Sequence, residues 1–328
     1  MEMFGSRDFL SSEHLQLPPL LYTIPGSGNT WARLLIEYAT GILSGCLYDD
    51  PELFKFLPGE YTCNWTVSVV KAHPLNNAAR HLMDGSFTSD YTKCNLSEPQ
   101  GIKKFKRAIF LIRNPYDSIW AEFQRHYSLL HKDNSHAKGI PKADFPWELW
   151  QANAASLSHD YLDMWQIHYA AMMNEWPPED ILFVKFEDLR NKQTRIKTLE
   201  KMVHFLQLQN DRRLRHDHQN VTTTSLECAF LLAENPHVHR QISSKDKYVL
   251  KDEAYFEELA CRMWQTFGNY ATIHGYKVWN DLDCRGYSKL PHVHIGGNGE
   301  EWDPRSRTLD FRGLPKQTIE NIPDFFTL

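Results

Sequence analysis

The chain has 328 residues, of which 42% are hydrophobic and 13% aromatic, enough apolar surface for a large core and too much for a disordered chain. Its formal charge of −5 excludes a general nucleic-acid binder, which needs a broad basic surface, but leaves room for a local anion pocket. No apolar run approaches the ~20 residues of a membrane-crossing helix, and "MEMFGSRDFLSSEHLQLPPL" lacks the basic start and long apolar centre of a signal peptide.

In chain order, Leu20 to Ile24 reads as a buried strand, followed by the loop "IPGSGNTW" and a helix over 31–43 closed by Gly41 or Gly45. "TVSVVKAH", Thr66 to His73, is short and β-branched and predicts a second strand. "AIFLIR", Ala108 to Arg113, predicts a third. A helix follows from about Tyr116 to Leu130, with Ile119, Trp120, Phe123, Tyr127 and Leu130 at helical spacing and Pro115 at its start. The polar segment His131 to Pro146 reads as a loop, and 147–174 as a long Trp- and Ala-rich helical stretch. Ile181 to Phe186 predicts a fourth strand, with helices over 194–208 and 253–271. Residues 286–328, rich in Gly and Pro, read as a loosely wrapped tail. No internal repeat is present.

Short buried strands alternating with helices predict an α/β fold with a central, mainly parallel sheet covered on both faces. The expected organisation is an N-terminal extension over 1–17, a main domain over 18–285 and a tail over 286–328. Ligands of such sheets bind beyond the carboxyl ends of the strands, where "IPGSGNT", "KAHP" and "RNPY" all fall.

Each of these corners has a bland reading beside a functional one. The loop offers backbone N–H groups from Gly26, Ser27, Gly28, Asn29 and Thr30, with hydroxyls from Ser27 and Thr30, at the positive end of a helix dipole. A plain capped turn would look the same. Lys71 and His73 share one face of an extended segment. The histidine is suited to accept a proton from a hydroxyl, or is simply one of sixteen histidines lying in a turn. Arg113 can fork onto phosphate oxygens, with Arg125 as a second contact, or either can form a surface salt bridge. The absence of the Gly-Lys-Ser/Thr ending argues against a triphosphate-binding enzyme.

Together the three corners resemble the sulfotransferase family that uses 3′-phosphoadenosine 5′-phosphosulfate (PAPS). "PGSGNTW" is similar to that family's phosphosulfate loop through Trp31, and "KAH" to its Lys-x-His base segment. "RNPYDS" is similar to its 3′-phosphate segment, and Phe186-Glu187-Asp188 to the Tyr/Phe-Glu-Asp after a later strand. Order and spacing agree over roughly residues 18–210, and the sequence most resembles the sulfotransferase domain of WSC-domain-containing proteins.

The resemblance implies a P-loop-like fold and sulfuryl transfer from PAPS to a hydroxyl, or less readily an amine. His73 would be general base and Lys71 would stabilise the leaving phosphate. Gly26, Ser27, Gly28, Asn29, Thr30, Trp31, Arg113 and Phe186 would hold the nucleotide. Two departures stand out. Cytosolic members carry a lysine where Gly26 stands, which leaves Lys71 and then Arg33 to do its work. A family serine falls on Ala121. An inactive nucleotide-binding module of the same fold is the alternative.

No metal is expected. The pairs "HDH" (216–218) and "HVH" (237–239, 292–294) lack a third ligand at a recognised spacing. The acceptor would be a carbohydrate or small molecule, and neither it nor the oligomeric state is legible. Compartment stays open: cytoplasm for a complete chain, Golgi lumen for one missing an N-terminal anchor. Six cysteines permit up to three disulfides. Sequons occur at Asn64, Asn95 and Asn220, where ordinary composition gives roughly one or two by chance.

Overall fold

The structure, a computed structural model, describes residues 7–10, 17–47, 51–73, 105–130, 145–165 apart from 149, 152, 156, 160 and 163, 176–206, 223–234 and 251–290. The 131–144 part of the expected loop, Cys94, Asn95, Asn220, the three His-x-His pairs and the tail from 291 lie outside the described residues. In chain order the elements are β1 (Leu20–Thr23), α1 (Asn29–Thr40), β2 (Gly45–Cys46), α2 (Pro51–Phe54), β3 (Val70–Ala72), β4 (Ala108–Ile112), α3 (Pro115–Leu130), β5 (Ile181–Lys185), α4 (Phe186–Arg190), α5 (Arg195–Phe205), α6 (Thr223–Ala233), α7 (Lys251–Ala254) and α8 (Glu257–Ile273). The chain divides into two compact units, one of Met1–Arg113 with Tyr169–His239 and one of Asn114–His168 with Arg240–Leu328.

The first unit holds one sheet in the order β2-β3-β1-β4-β5, and every pairing in it is parallel. The expected α/β class therefore holds. Side chains alternate between the two faces of a strand, and that parity organises the core. Leu21, Val69, Ile109, Leu111 and Val184 pack on one face with Leu34, Leu35 and Ile36 of α1, Leu199 and Met202 of α5, and Leu226 and Phe230 of α6. Leu20, Tyr22, Val70, Ala72, Ala108 and Phe110 pack on the other with Leu17, Phe105 and Trp176.

The strands are shorter than their apolar runs suggest. Before Val70, the Asn64 carboxamide accepts from the Thr66 N–H (2.8 Å) and hydroxyl (2.6 Å), a local turn that competes with sheet pairing. His73 and Arg113 consequently fall just past their strands. Helix α1 begins at Asn29 rather than 31, and its end is set by Gly41 at φ 68°, whose N–H returns to the Glu37 carbonyl. Gly45, the other candidate terminator, lies in β2, an edge strand of two residues too short for any periodicity. Helix α6 was not expected either, because "TTSLECAFLLA" has a nearly continuous apolar stretch without a helical period.

In the second unit, the Tyr116 hydroxyl donates to the Ala260 carbonyl (2.8 Å) and Tyr255 donates to the Tyr116 carbonyl (2.7 Å), joining α3 to α8 and to the turn between α7 and α8. Burial pushes the Tyr116 phenol well above its ordinary range. A disulfide joins Cys261 and Cys284. Cys46 and Cys228 take part in no disulfide, so three bridges do not form.

Arg107 closes the carboxyl end of α5. It is 7% exposed, donates from Nη1 to the Phe205 carbonyl and from Nη2 to that of Leu206 (3.2 Å), and burial draws its guanidinium below the usual range. Helix ends leave such carbonyls orphaned, so Arg107→Met is expected to destabilise the fold by about 2 kcal/mol. A chemical-denaturation midpoint equal to wild type would show that this cap contributes nothing.

Candidate site at the carboxyl ends of the strands

Parity also builds the site. Continuing each strand by two residues from its α1-facing side chain leads from Leu21 to Thr23, from Lys71 to His73, from Leu111 to Arg113 and from Val184 to Phe186. All four extensions lie at the carboxyl edge, on the face where α1 starts.

The loop between β1 and α1 turns on two glycines with positive φ, Gly26 at 77° and Gly28 at 86°, a conformation that other residues adopt only at a cost. Ser27 N–H closes the turn on the Ile24 carbonyl (3.1 Å). No acidic side chain occupies the first turn of α1, so its positive end is not offset by its own carboxylate. The Ser27 side chain is 1% exposed, yet its hydroxyl has no hydrogen-bond partner, and neither has Asn29 Oδ1. Such orphans cost about 1–3 kcal/mol each and are expected where a ligand or water completes the bonding.

His73 is joined to this loop through Thr23. Its Nδ1 lies 2.7 Å from the Thr23 carbonyl oxygen and 3.0 Å from the Thr23 hydroxyl. A carbonyl only accepts, so Nδ1 carries the proton and Nε2 holds the lone pair of the neutral ring. The Thr23 hydroxyl in turn accepts from Asn29 Nδ2 (2.9 Å), so one threonine fixes both the imidazole and the first residue of α1.

Arg113 is joined to the loop directly. Nη1 donates to the Gly26 carbonyl (3.0 Å), the guanidinium lies 4.5 Å over the Phe186 ring, and Nε is buried without a hydrogen-bond partner. Phe186 meets Trp31 edge-on at 5.5 Å, and a Cβ at Gly28 would fall 2.3 Å from its Cε2. Gly26, Ser27, Gly28, Asn29, Trp31, His73, Arg113 and Phe186 are thus linked through contacts at one edge. Thr30, at the second position of α1, is half-buried.

The cations expected to replace the missing loop lysine fare differently. Arg33 is fully buried. It donates to Ser44 Oγ (2.8 Å) and the Ser44 carbonyl (3.2 Å) and pairs with Glu60. A ligand therefore cannot reach it. Lys71 keeps 10% of its side chain exposed, with Nζ 3.9 Å from Glu60 Oε1. Arg125, expected instead as a second phosphate contact beside Arg113, forms a two-pronged pair with Glu122 (3.0 and 2.6 Å). Thr23 and Glu60 are the residues that sequence reading missed. Strand parity could have found Thr23, whereas nothing in "LPGEYT" marks Glu60.

The fold is thus that of an α/β protein whose candidate site gathers at strand ends and helix α1. No protein-family model matches the chain. Homologues carry the name WSCD family member: one of Drosophila pseudoobscura pseudoobscura is 36% identical over 118 residues, covering 35% of this chain and 30% of the relative. Another of Drosophila melanogaster is 38% identical over 112 residues, covering 33% and 28%. A third of Aedes aegypti is 37% identical over 106 residues, covering 32% and 26%. The matched part spans less than a third of each relative's length.

Gly28→Ala tests the packing of this edge. A positive-φ penalty of ~1 kcal/mol adds to overpacking of about 1–3 kcal/mol, so a loss of roughly 2–4 kcal/mol is expected in thermal or chemical unfolding. Adding Phe186→Leu should recover the overpacking part alone. A Gly28→Ala protein as stable as wild type would refute the described contact.

Proposed function

We propose that this chain is a PAPS-dependent sulfotransferase acting on a hydroxyl, or less readily an amine, of a carbohydrate or small molecule. The observation that carries the reading is the tethering of His73 through Thr23 to a loop with a buried, unpartnered Ser27 hydroxyl. The WSCD relatives and the residue-by-residue resemblance support it. PAPS, as co-substrate, would supply an activated sulfuryl group on a phosphate leaving group.

In the proposed step His73 Nε2 takes the acceptor proton as the acceptor oxygen bonds to sulfur. The sulfur–oxygen bond to phosphate breaks with its electron pair on the departing phosphate. Ser27, the α1 amides and Lys71 meet that developing charge, while Arg113, braced on Gly26 and Phe186, binds the nucleotide. The chain needs no metal in this scheme. The neutral loop also favours a second reading, an inactive nucleotide-binding module. Calorimetry separates the two, because adenosine 3′,5′-bisphosphate binding without turnover on any acceptor favours the module.

The experiment measures transfer from radiolabelled PAPS to a panel of sugars, phenols, steroids and peptides. His73→Ala is expected to lower turnover by roughly 10²–10⁴-fold with nucleotide binding retained. Arg113→Ala is expected to weaken nucleotide binding by about ten- to a hundredfold, as for loss of a charged hydrogen bond. Full transfer by the His73 variant would remove the proposed base. An unchanged nucleotide affinity in the Arg113 variant would remove the anchor.

The same reading carries an oxidising compartment such as the Golgi lumen. The Cys261–Cys284 disulfide supports it, since such bridges persist in oxidising surroundings. At the Asn64-Trp65-Thr66 sequon, Oδ1 is bonded to Thr66, so Nδ2, the nitrogen that would carry a glycan, is the opposite prong of the amide. Protein expressed through a secretory route should lose one glycan mass at the Asn64 peptide on glycosidase treatment, and Asn64→Gln should abolish that loss. An unmodified Asn64 peptide in disulfide-bonded protein would count against the lumenal reading.

A further inference from the structure

We propose that Glu60 is a positioning residue whose buried carboxylate holds the Lys71 ammonium at the carboxyl end of β3, as the last link of a chain of alternating charges. This deepens the function proposed above and rests on it only for its catalytic consequence.

The chain begins at Arg7, whose Nη1 donates to Glu37 Oε2 (2.5 Å) and to the Phe56 carbonyl (3.0 Å). Glu37 Oε1 accepts from the Ser44 N–H (2.9 Å) and hydroxyl (2.5 Å). Ser44 accepts from Arg33, and Arg33 Nη1 pairs with Glu60 Oε2. Glu60 Oε1 faces Lys71 Nζ at 3.9 Å and has no hydrogen-bond partner. Arg33, Glu37 and Glu60 are each 0% exposed. Taken in order, the five ionisable groups are positive, negative, positive, negative and positive. They sum to +1, and the surplus ends on the lysine.

Stability alone is a poor reason for such an arrangement. Apolar residues of equal volume commonly replace buried ion pairs at no loss. What the chain adds is position. A lysine ammonium on its four-carbon stem forfeits rotamer entropy when fixed, and Arg33 pins the carboxylate that fixes it. Arg33 is pinned in its turn by Ser44. Lys71 shares the α1 face of β3 with His73 two residues on, so holding the lysine sets a cation beside the proposed base. The charge that relatives with a lysine at position 26 carry on the loop would here come from the strand, aimed by a residue some ten positions upstream.

The test reads the lysine before it reads any reaction. In ¹³C-lysine-labelled protein, with the Lys71 signal assigned through Lys71→Arg, the ε-methylene should be as ordered as the backbone. In Glu60→Gln it should become measurably more mobile than in the wild type. Because Glu60→Gln also removes Arg33's partner and can impair folding, Glu60→Asp is measured beside it. That variant keeps the charge, draws it back by one methylene and should give intermediate order.

In PAPS turnover, Glu60→Gln should lower kcat about tenfold, less than the roughly 10²–10³-fold of deleting a transition-state donor outright, with little change in nucleotide KM. It should have no further effect in a Lys71→Met background. Lys71 remaining ordered in both Glu60 variants would overturn the proposal. So would an equal fall in kcat with and without Lys71, the mark of a merely structural role. Release of Lys71 in a chain whose wild type transfers no sulfuryl group to any acceptor would uphold the tether and defeat the sulfotransferase reading.

Discussion

One hydrogen bond governs the geometry of the site, the one from His73 Nδ1 to the Thr23 carbonyl. It crosses between adjacent strands just where their ladder ends, since Tyr22 pairs with Ala72 as the last β1–β3 couple. Past that point the sheet no longer dictates where the chain goes, and a side chain takes over. The bond fixes the ring's orientation and tautomer in one contact, and through the Thr23 hydroxyl the same residue fixes Asn29 and hence the start of α1. The imidazole and the amino end of α1 are thereby held in register by one strand residue, the kind of support that the proposed base would need.

The edge is built with unmet polar groups. Ser27 Oγ, Asn29 Oδ1, Arg113 Nε and Glu60 Oε1 lack hydrogen-bond partners within the protein, whereas Arg107, Trp176 and Tyr116, comparably buried, have carbonyl partners. Three of the four unmet groups belong to the loop or to the arginine that braces it. A fold tolerates such local cost where something else completes the bonding, and an anion with several acceptor oxygens would satisfy the two donors, Ser27 and Arg113, together.

Legibility in the sequence followed the length and regularity of the signal. The apolar runs at Leu20, Ala108 and Ile181 mark buried strands because parallel sheets are covered on both faces, and their alternation with helices gives the α/β class. Two-residue β2 carries no period, and α6 hides its period in an apolar stretch, so neither was readable. The loop glycines, His73 and Arg113 were legible as candidates because strand ends are where such sheets hold ligands. Their mutual bonds were not, since these depend on parity across strands up to about ninety positions apart. Arg33 shows the limit most clearly. As a cation one turn into the helix after the loop it looked available, and only the fold reveals that Ser44 and Glu60 occupy it.

The neutral loop then acquires a physical reason. A lysine at position 26 would bring its charge to a site where the Gly26 carbonyl already accepts from Arg113, and two cations in so small a volume repel unless an anion lies between them. The two cations here have separate supports: Gly26 and Phe186 for Arg113, the buried Glu60 carboxylate for Lys71. Burial pushes the Glu37 carboxyl above its ordinary range despite the nearby Arg7. Glu60, next to the lysine, is flanked by cations on both sides.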